Sequence, residues 1–226
     1  MSSTPTPVAR GPVACGPVAR GPIARSPIAP APPVSEHGGW EVSGRRSTAE
    51  LTVADATPLA KVAVRAAHDG GMRAALGVPF GRAARDAGGR LVVGSGPGEW
   101  LVLAGVGESS AVRAQLAEAA AHVGELVSVV DLTHGRALVR LTGACSADLL
   151  AKVCGIDLAP SVTPDGTAFR SSVAGVVTDV VRDDAGPVAS YLLHCERSSG
   201  QYLFDRLLDA GAEFAIETTG FSSPGT

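Results

Sequence analysis

The sequence predicts an α+β fold with mainly antiparallel sheets, arranged as two tandem ferredoxin-like split βαβ units. Three observations predict it. The order strand, helix, hairpin, helix, strand occurs over residues 59 to 131 and again over 135 to 217. A glycine and proline turn, Gly94-Ser-Gly-Pro-Gly-Glu99, separates two apolar runs and so marks an antiparallel hairpin. Finally, Val64-Arg65 recurs as Val139-Arg140, each before a short helix, and Glu99–Leu103 corresponds in place to Ser190–His194.

Residues 1 to 38 stand apart. Pro7-Val-Ala-Arg, Pro12-Val-Ala-Cys, Pro17-Val-Ala-Arg, Pro22-Ile-Ala-Arg and Pro27-Ile-Ala-Pro recur at a period of five. Proline lacks an N–H and biases its predecessor toward extended backbone, so this segment is expected to be a disordered, polyproline-like arm. Such an arm is either an inert linker or a segment that orders along a partner subunit, and its last copy, Arg25–Ala29, is the one expected to be ordered.

The first half is read as residues 39–133. Leu59–Arg65 reads as a strand, and Asp69 to Leu76 as a short helix closed by Gly77 and Pro79. Residues 81 to 89 read as an Ala, Arg and Gly-rich linker before the hairpin of Arg90–Gly94 and Trp100–Ala104. Ser109 or Ser110 is placed to cap a helix whose Val112, Leu116, Ala119, Ala120 and Val123 share one face, with Gly124 after its end. Leu126–Asp131 follows as a strand.

The second half is read as residues 134–217. It runs through a strand at Arg136–Leu141, a helix from Ala144 to Cys154, two strands within Phe169 to Val181, and a third at Ala189–Cys195. A capping box at Ser198-Ser-Gly-Gln201 opens a helix carrying Leu203, Phe204, Leu207 and Leu208, with Gly211 after its end. Glu213–Glu217 reads as the last strand and residues 218–226 as a polar tail.

The 226 residues carry a net charge of -3, which gives no general attraction to nucleic acid, and no apolar run approaches the roughly 20 residues of a membrane span. No signal-like apolar segment opens the chain, so a cytoplasmic location is expected. Cys15, Cys145, Cys154 and Cys195 lack metal-ligand spacing, and the last three read as small buried side chains.

Several stretches carry residue types used in chemistry. Gly105-Val-Gly107-Glu-Ser-Ser110, with Asp131 further on, imitates a dinucleotide fingerprint. Ser110 replaces its third glycine, and Glu108 would set a negative charge beside a pyrophosphate. His134 near Asp131 can be paired on paper with Cys145 as base and nucleophile, though a structural turn histidine is the plainer reading. Asp69 beside His68 suits a cap, Cys195 beside His194 suits a core strand, and His37 and His122 stand apart from any co-ligand. Asp183-Asp184 reads as a solvated hairpin tip, and Trp100 as a core anchor whose N–H is satisfied by a neighbour. No catalytic, cofactor-binding or metal residue is nominated in this chain.

Arg25–Ala29, Gly96–Leu103, and Val130–His134 through Leu141–Leu150 carry a resemblance, joined in order by Ile156-Asp-Leu158 and Glu196–Tyr202. Over about residues 22 to 217 the chain resembles the gamma subunit of heterotetrameric sarcosine oxidase. Asp131–Gly135 with Leu141-Thr-Gly143 also resembles a segment of the folate-binding aminomethyltransferases, which implies an aminomethyltransferase-like fold. The resemblance implies a non-catalytic subunit of a complex that converts sarcosine to glycine, with hydrogen peroxide and methylenetetrahydrofolate as products. The alternative is a stand-alone folate-binding, aminomethyltransferase-like protein. The implied partners are alpha, beta and delta subunits, which would hold FAD, FMN, NAD, tetrahydrofolate and zinc. Arg25, Ser26, Pro27 and Ile28 are the candidate subunit contacts. Two departures stand out: Gly98 where an aspartate is expected, which should loosen its turn, and multiplication of the Arg-Ser-Pro segment.

Overall fold

A computed structural model describes residues 22–222. Two antiparallel-dominated sheets lie face to face, each covered on its outer side by helices, in the layer order helices, sheet, sheet, helices.

The first sheet joins β5 (Ala60–Arg65), β6 (Ala83–Arg85), β7 (Leu91–Gly96), β8 (Glu99–Ala104) and β9 (Ser128–Asp131) in the order β6-β7-β8-β5-β9. Period-2 alternation sends Val62, Val64, Trp100 and Val102 outward onto α1 (Gly71–Leu76) and α2 (Ser109–Val123), while Leu101 and Leu103 face the other sheet. Both helices end on a left-handed glycine, Gly77 and Gly124, as the sequence predicts. No serine side chain caps α2.

The second sheet has the order β11-β12-β13-β10-β4-β14, formed by β11 (Ala168–Val173), β12 (Val176–Arg182), β13 (Ser190–Glu196), β10 (Arg136–Gly143), β4 (Leu51–Asp55) and β14 (Glu217–Thr218). Its outer face buries Val139, Leu141, Tyr191 and Leu193 beneath α3 (Ser146–Ala151) and α4 (Gly200–Gly211). The sheets meet through Leu138, Val181 and Leu192 on this side and Leu91, Val93, Leu101 and Leu103 on the other.

Three expectations are corrected, and one strand joins across the halves: β4, from the N-terminal half, sits between β10 and β14, and its alternating Leu51 and Val53 fill the second core. The linker at 81–89 contributes β6, whose backbone pairs with β7. The closing strand is shorter than read, since Ala212–Phe214 forms a 3-10 turn and only Glu217 and Thr218 pair. The tail is docked as far as residue 222: Phe221 is buried, and Gly220 N–H donates to the Arg45 carbonyl at 2.7 Å.

The arm also departs from expectation over residues 22–38. β1 (Ala24–Arg25) runs parallel to β3 (Trp40–Ser43), and β2 (Val34–His37) pairs antiparallel with the same strand. Residues 1–21 of the expected arm and 223–226 of the expected tail lie outside the described residues. Among the described residues no helix is long and apolar enough to cross a membrane.

Gly98 does not loosen its turn. It adopts φ +69°, and a Cβ there would stand 2.3 Å from the Ala66 carbonyl oxygen, so only glycine fits this close approach. The Gly98 carbonyl in turn accepts the Ala66 N–H at 3.0 Å.

Candidate functional site

A concave surface lies between the two sheets, where β6 of the first approaches β10 of the second. A cleft of about 370 Å³ is lined by His37, Leu59, Arg85, Glu108, Arg140 and Asp183. A neighbouring cleft of about 680 Å³ reaches Thr52, Asp55 and Phe221 and shares Arg85, Arg140 and Asp183 with the first. An ion cluster therefore forms the wall between them.

Each member of that cluster comes from a different element. Arg85 ends β6, Arg140 lies mid-strand in β10, and Asp183 follows β12. Arg85 Nη2 donates to both Asp183 carboxylate oxygens at 2.8 and 3.0 Å, and Arg140 Nη2 donates to Oδ2 at 2.7 Å. Arg140 Nη1 also donates to Ser190 Oγ at 2.9 Å. The cluster ties the first sheet to the second and satisfies both guanidiniums within the protein. Asp183 is thus no solvated tip but a buried bridge at the base of its hairpin; Asp184 beside it accepts from Arg182 Nε at 3.1 Å. Replacing Asp183 with alanine is expected to cost about 2 kcal/mol, between the ranges for exposed and buried pairs. Arg85→Ala, on a more exposed side chain, is expected to cost under about 1 kcal/mol, and urea titration of the two variants measures both.

A second polar feature is internal. Lys61 is fully buried between the sheets, its Nζ donating to the Thr57 and Leu59 carbonyls at 2.6 and 2.9 Å. Burial, opposed by Asp55 and Asp131, lowers its pKa to about 7. Asp55 at the adjacent cleft is raised by burial, against hydrogen bonds from Ser26 and Thr57.

The residues considered from sequence are dispersed. At Gly105–Ser110, the Glu108 carboxylate folds back to accept the Gly105 N–H at 2.9 Å, and β8 is antiparallel to both neighbours, which is not the parallel βαβ geometry a dinucleotide loop needs. Asp131 accepts the Thr133 N–H at 2.8 Å. His134 stacks on Trp40 with centroids 4.7 Å apart, whereas Cys145 lies beyond the other end of β10, about 25 Å of strand away. His68 and Asp69 are both exposed, 3.7 Å apart. His194 is buried, lowered by that burial against Asp179, whose carboxylate lies 3.3 Å from Nδ1 and also receives Arg170. Burial pushes the Cys195 thiol up to about 11. His122 Nδ1 lies 2.7 Å from the Glu118 carbonyl, and the His37 ring stands 5.3 Å from that of Phe221. Trp100 Nε1 donates to the Val78 carbonyl at 2.8 Å, as an anchor requires. Among the described residues no group of three His, Cys, Asp or Glu side chains could hold a metal ion.

Sequence reasoning missed the cleft cluster. One signal for it was present: Arg140 interrupts the apolar run Ala137–Leu141, and a charge mid-strand in a core needs a partner.

The candidate subunit contacts are held by the chain itself. Arg25 pairs with Glu41 at 2.8 Å, Ser26 Oγ accepts the Ile28 N–H at 3.1 Å, Pro27 lies against Gly200, and Ile28 is buried in the second core. The Ile28 side chain is therefore unavailable to a partner, because it fills a core position, while the Arg25 side chain remains mostly exposed.

Comparison with known proteins decides the family. The model of the sarcosine oxidase, gamma subunit family matches residues 55–213. The chain belongs to that family. A chain of heterotetrameric sarcosine oxidase from Corynebacterium sp. U-96, solved in complex with pyrrole 2-carboxylate, is 26% identical with a TM-score of 0.64, covering 77% of this chain and 90% of that one. The glycine cleavage system aminomethyltransferase T of Bartonella henselae shares the fold at 17% identity and a TM-score of 0.63, over 83% of this chain and 55% of that one. An aminomethyltransferase of Saccharopolyspora erythraea is 28% identical over 136 residues, which is 60% of this gamma-family chain and 36% of that protein. The chain thus spans about a third of that curated relative's length. Family and fold together make it a member of the sarcosine oxidase gamma subunit family with an aminomethyltransferase-like fold, and the Corynebacterium chain it matches comes from a heterotetramer.

Proposed function

We propose that this gamma subunit is the non-catalytic member of a cytoplasmic heterotetramer that oxidatively demethylates sarcosine to glycine, with hydrogen peroxide and methylenetetrahydrofolate as the other products. Its partners are alpha, beta and delta subunits, which hold FAD, FMN, NAD, tetrahydrofolate and zinc. The family match over residues 55–213 carries the reading, and the 90% coverage of a chain from the Corynebacterium complex supports it.

The chain's own chemistry is consistent with a packing role. The cleft arginines are consumed by Asp183, and the Glu108 carboxylate covers the glycine loop. Expressed alone, the chain is expected to be colourless and to give no saturable heat with tetrahydrofolate in calorimetry. A yellow chain that oxidises sarcosine unaided would contradict the proposal, and saturable folate binding would favour a stand-alone folate protein instead.

A further inference from the structure

Residues 24–29 are docked on β3 and α4 by contacts that fall at fixed positions of the five-residue repeat. Ala24 N–H donates to the Gly39 carbonyl at 2.8 Å, and Ala24 and Arg25 pair with Trp40 and Glu41 of β3. The Arg25 guanidinium meets the Glu41 carboxylate, while its carbonyl accepts Arg197 Nη2 at 2.6 Å. Pro27 sits over the first residue of α4: a Cβ on Gly200 would lie 2.9 Å from Pro27 Cγ, so glycine opens the seat for the ring. Ile28 enters the core beside Phe204, and the Ala29 N–H donates to Gln201 Oε1 at 2.7 Å. The groove therefore reads Ala, Arg, Ser, Pro, Ile, Ala.

The five residues upstream repeat that pattern. Ala19-Arg20-Gly21-Pro22-Ile23-Ala24 differs from Ala24-Arg25-Ser26-Pro27-Ile28-Ala29 at one position, glycine in place of serine. Ile23 is about half-exposed where it now stands and belongs to none of the core clusters, so it gives up no core position by moving. A slip of five residues would put Ala19 and Arg20 against β3, Pro22 over Gly200 and Ile23 in the core. The connection to β2 would lengthen from residues 30–33 to residues 25–33. Loop closure penalises that change only logarithmically, about threefold in population. The three copies further upstream fit less well, since all carry valine at the core position and two have Pro5 or Cys15 where the Glu41 partner belongs.

What separates the two best registers is Ser26. Its Oγ accepts the Ile28 N–H at 3.1 Å and so fixes the turn that delivers the isoleucine to the core. A bond of this kind is worth roughly threefold to tenfold in population, and glycine at this position cannot make it.

We propose that the groove between β3 and the start of α4 is a binding site for the repeat itself, that the Arg20–Ala24 copy is its alternative occupant in the same chain, and that Ser26 fixes the register. The inference does not depend on the oxidase reading.

Methyl NMR tests it on the full chain, which has four isoleucines, Ile23, Ile28, Ile156 and Ile216. With δ1-methyl labels and a soluble paramagnetic agent, Ile28 is expected to be protected and Ile23 quenched in the native chain. In Ser26→Gly, about one molecule in four should show the reverse, and adding Ile23→Asp should restore a single protected Ile28 signal. A single protected Ile28 in Ser26→Gly would overturn the proposal. So would a minor signal that survives Ile23→Asp, or one that grows with protein concentration, which would mean a neighbouring chain's copy is bound. Should Ser26→Gly not fold, a stability cycle gives the same answer. Ile23→Ala is expected to change the folding equilibrium less than twofold in the native background and tenfold or more in the Ile28→Ala background, where the upstream copy would have replaced the lost side chain. Equal effects in the two backgrounds would overturn it.

Discussion

Trp100→Ala is expected to destabilise the chain by about 3–5 kcal/mol. The indole is only 4% exposed and packs in the cluster of Val62, Val64, Met72 and Val78 between the first sheet and its helices. Its removal leaves a cavity at the centre of that cluster and strips the Val78 carbonyl of its N–H donor. Trp100→Phe separates the two losses: it retains most of the apolar contact but not the hydrogen bond, and is expected to cost about 1–3 kcal/mol. Urea unfolding of both variants measures the difference. Equal, small effects would mean that the indole is not an anchor.

The second large effect is a pH dependence centred on Lys61. Its folded pKa, lowered to about 7 from 10.5, means that the unfolded chain binds more protons than the folded one between those values. The penalty of burying the ammonium is therefore fully present below pH 7, and stability rises as pH increases. Between pH 7 and 9 the gain should be about 2–3 kcal/mol. The neutral amine still has two N–H donors, one for each of the Thr57 and Leu59 carbonyls, so deprotonation leaves neither acceptor empty. The range stops at pH 9 because Cys195, raised by burial from 9.0 to about 11, favours the unfolded state above it. Lys61→Met removes the titrating group and is expected to flatten the profile. The same slope in both proteins would place the linked proton elsewhere.

Periodicity made the first sheet legible. The hairpin of β7 and β8 was marked by residues that turn the chain, and α2 by apolar residues at helical spacing and a glycine stop. β4 was not legible as a member of the second sheet, because its pairing with β10 joins Leu51 to Gly143 across the chain and leaves no local trace. The proline-rich arm misled for a similar reason. Its composition argues for extended backbone, which is correct over residues 24–25 and 34–37, but one buried isoleucine and the edge of β3 turn extension into docking.

The cleft was the least readable part. Arg85 and Asp183 are separated by 98 positions and Arg140 and Asp183 by 43, and each looked ordinary where it stood, in a linker, a strand and a turn. Lys61 was placed correctly in a strand, but its face was not, since alternation in Ala60–Val64 is blurred by small residues on both sides. Composition records which charges a chain has, and only the folded topology decides which of them lose their water.

Assembly is the central claim, and affinity purification of the tagged full chain from its native source tests it most directly. Three further polypeptides are expected to co-elute in amounts equal to the tagged chain, and the eluate should release hydrogen peroxide when given sarcosine. A chain that elutes alone, while sarcosine oxidation stays entirely in the unbound fraction, would contradict the account.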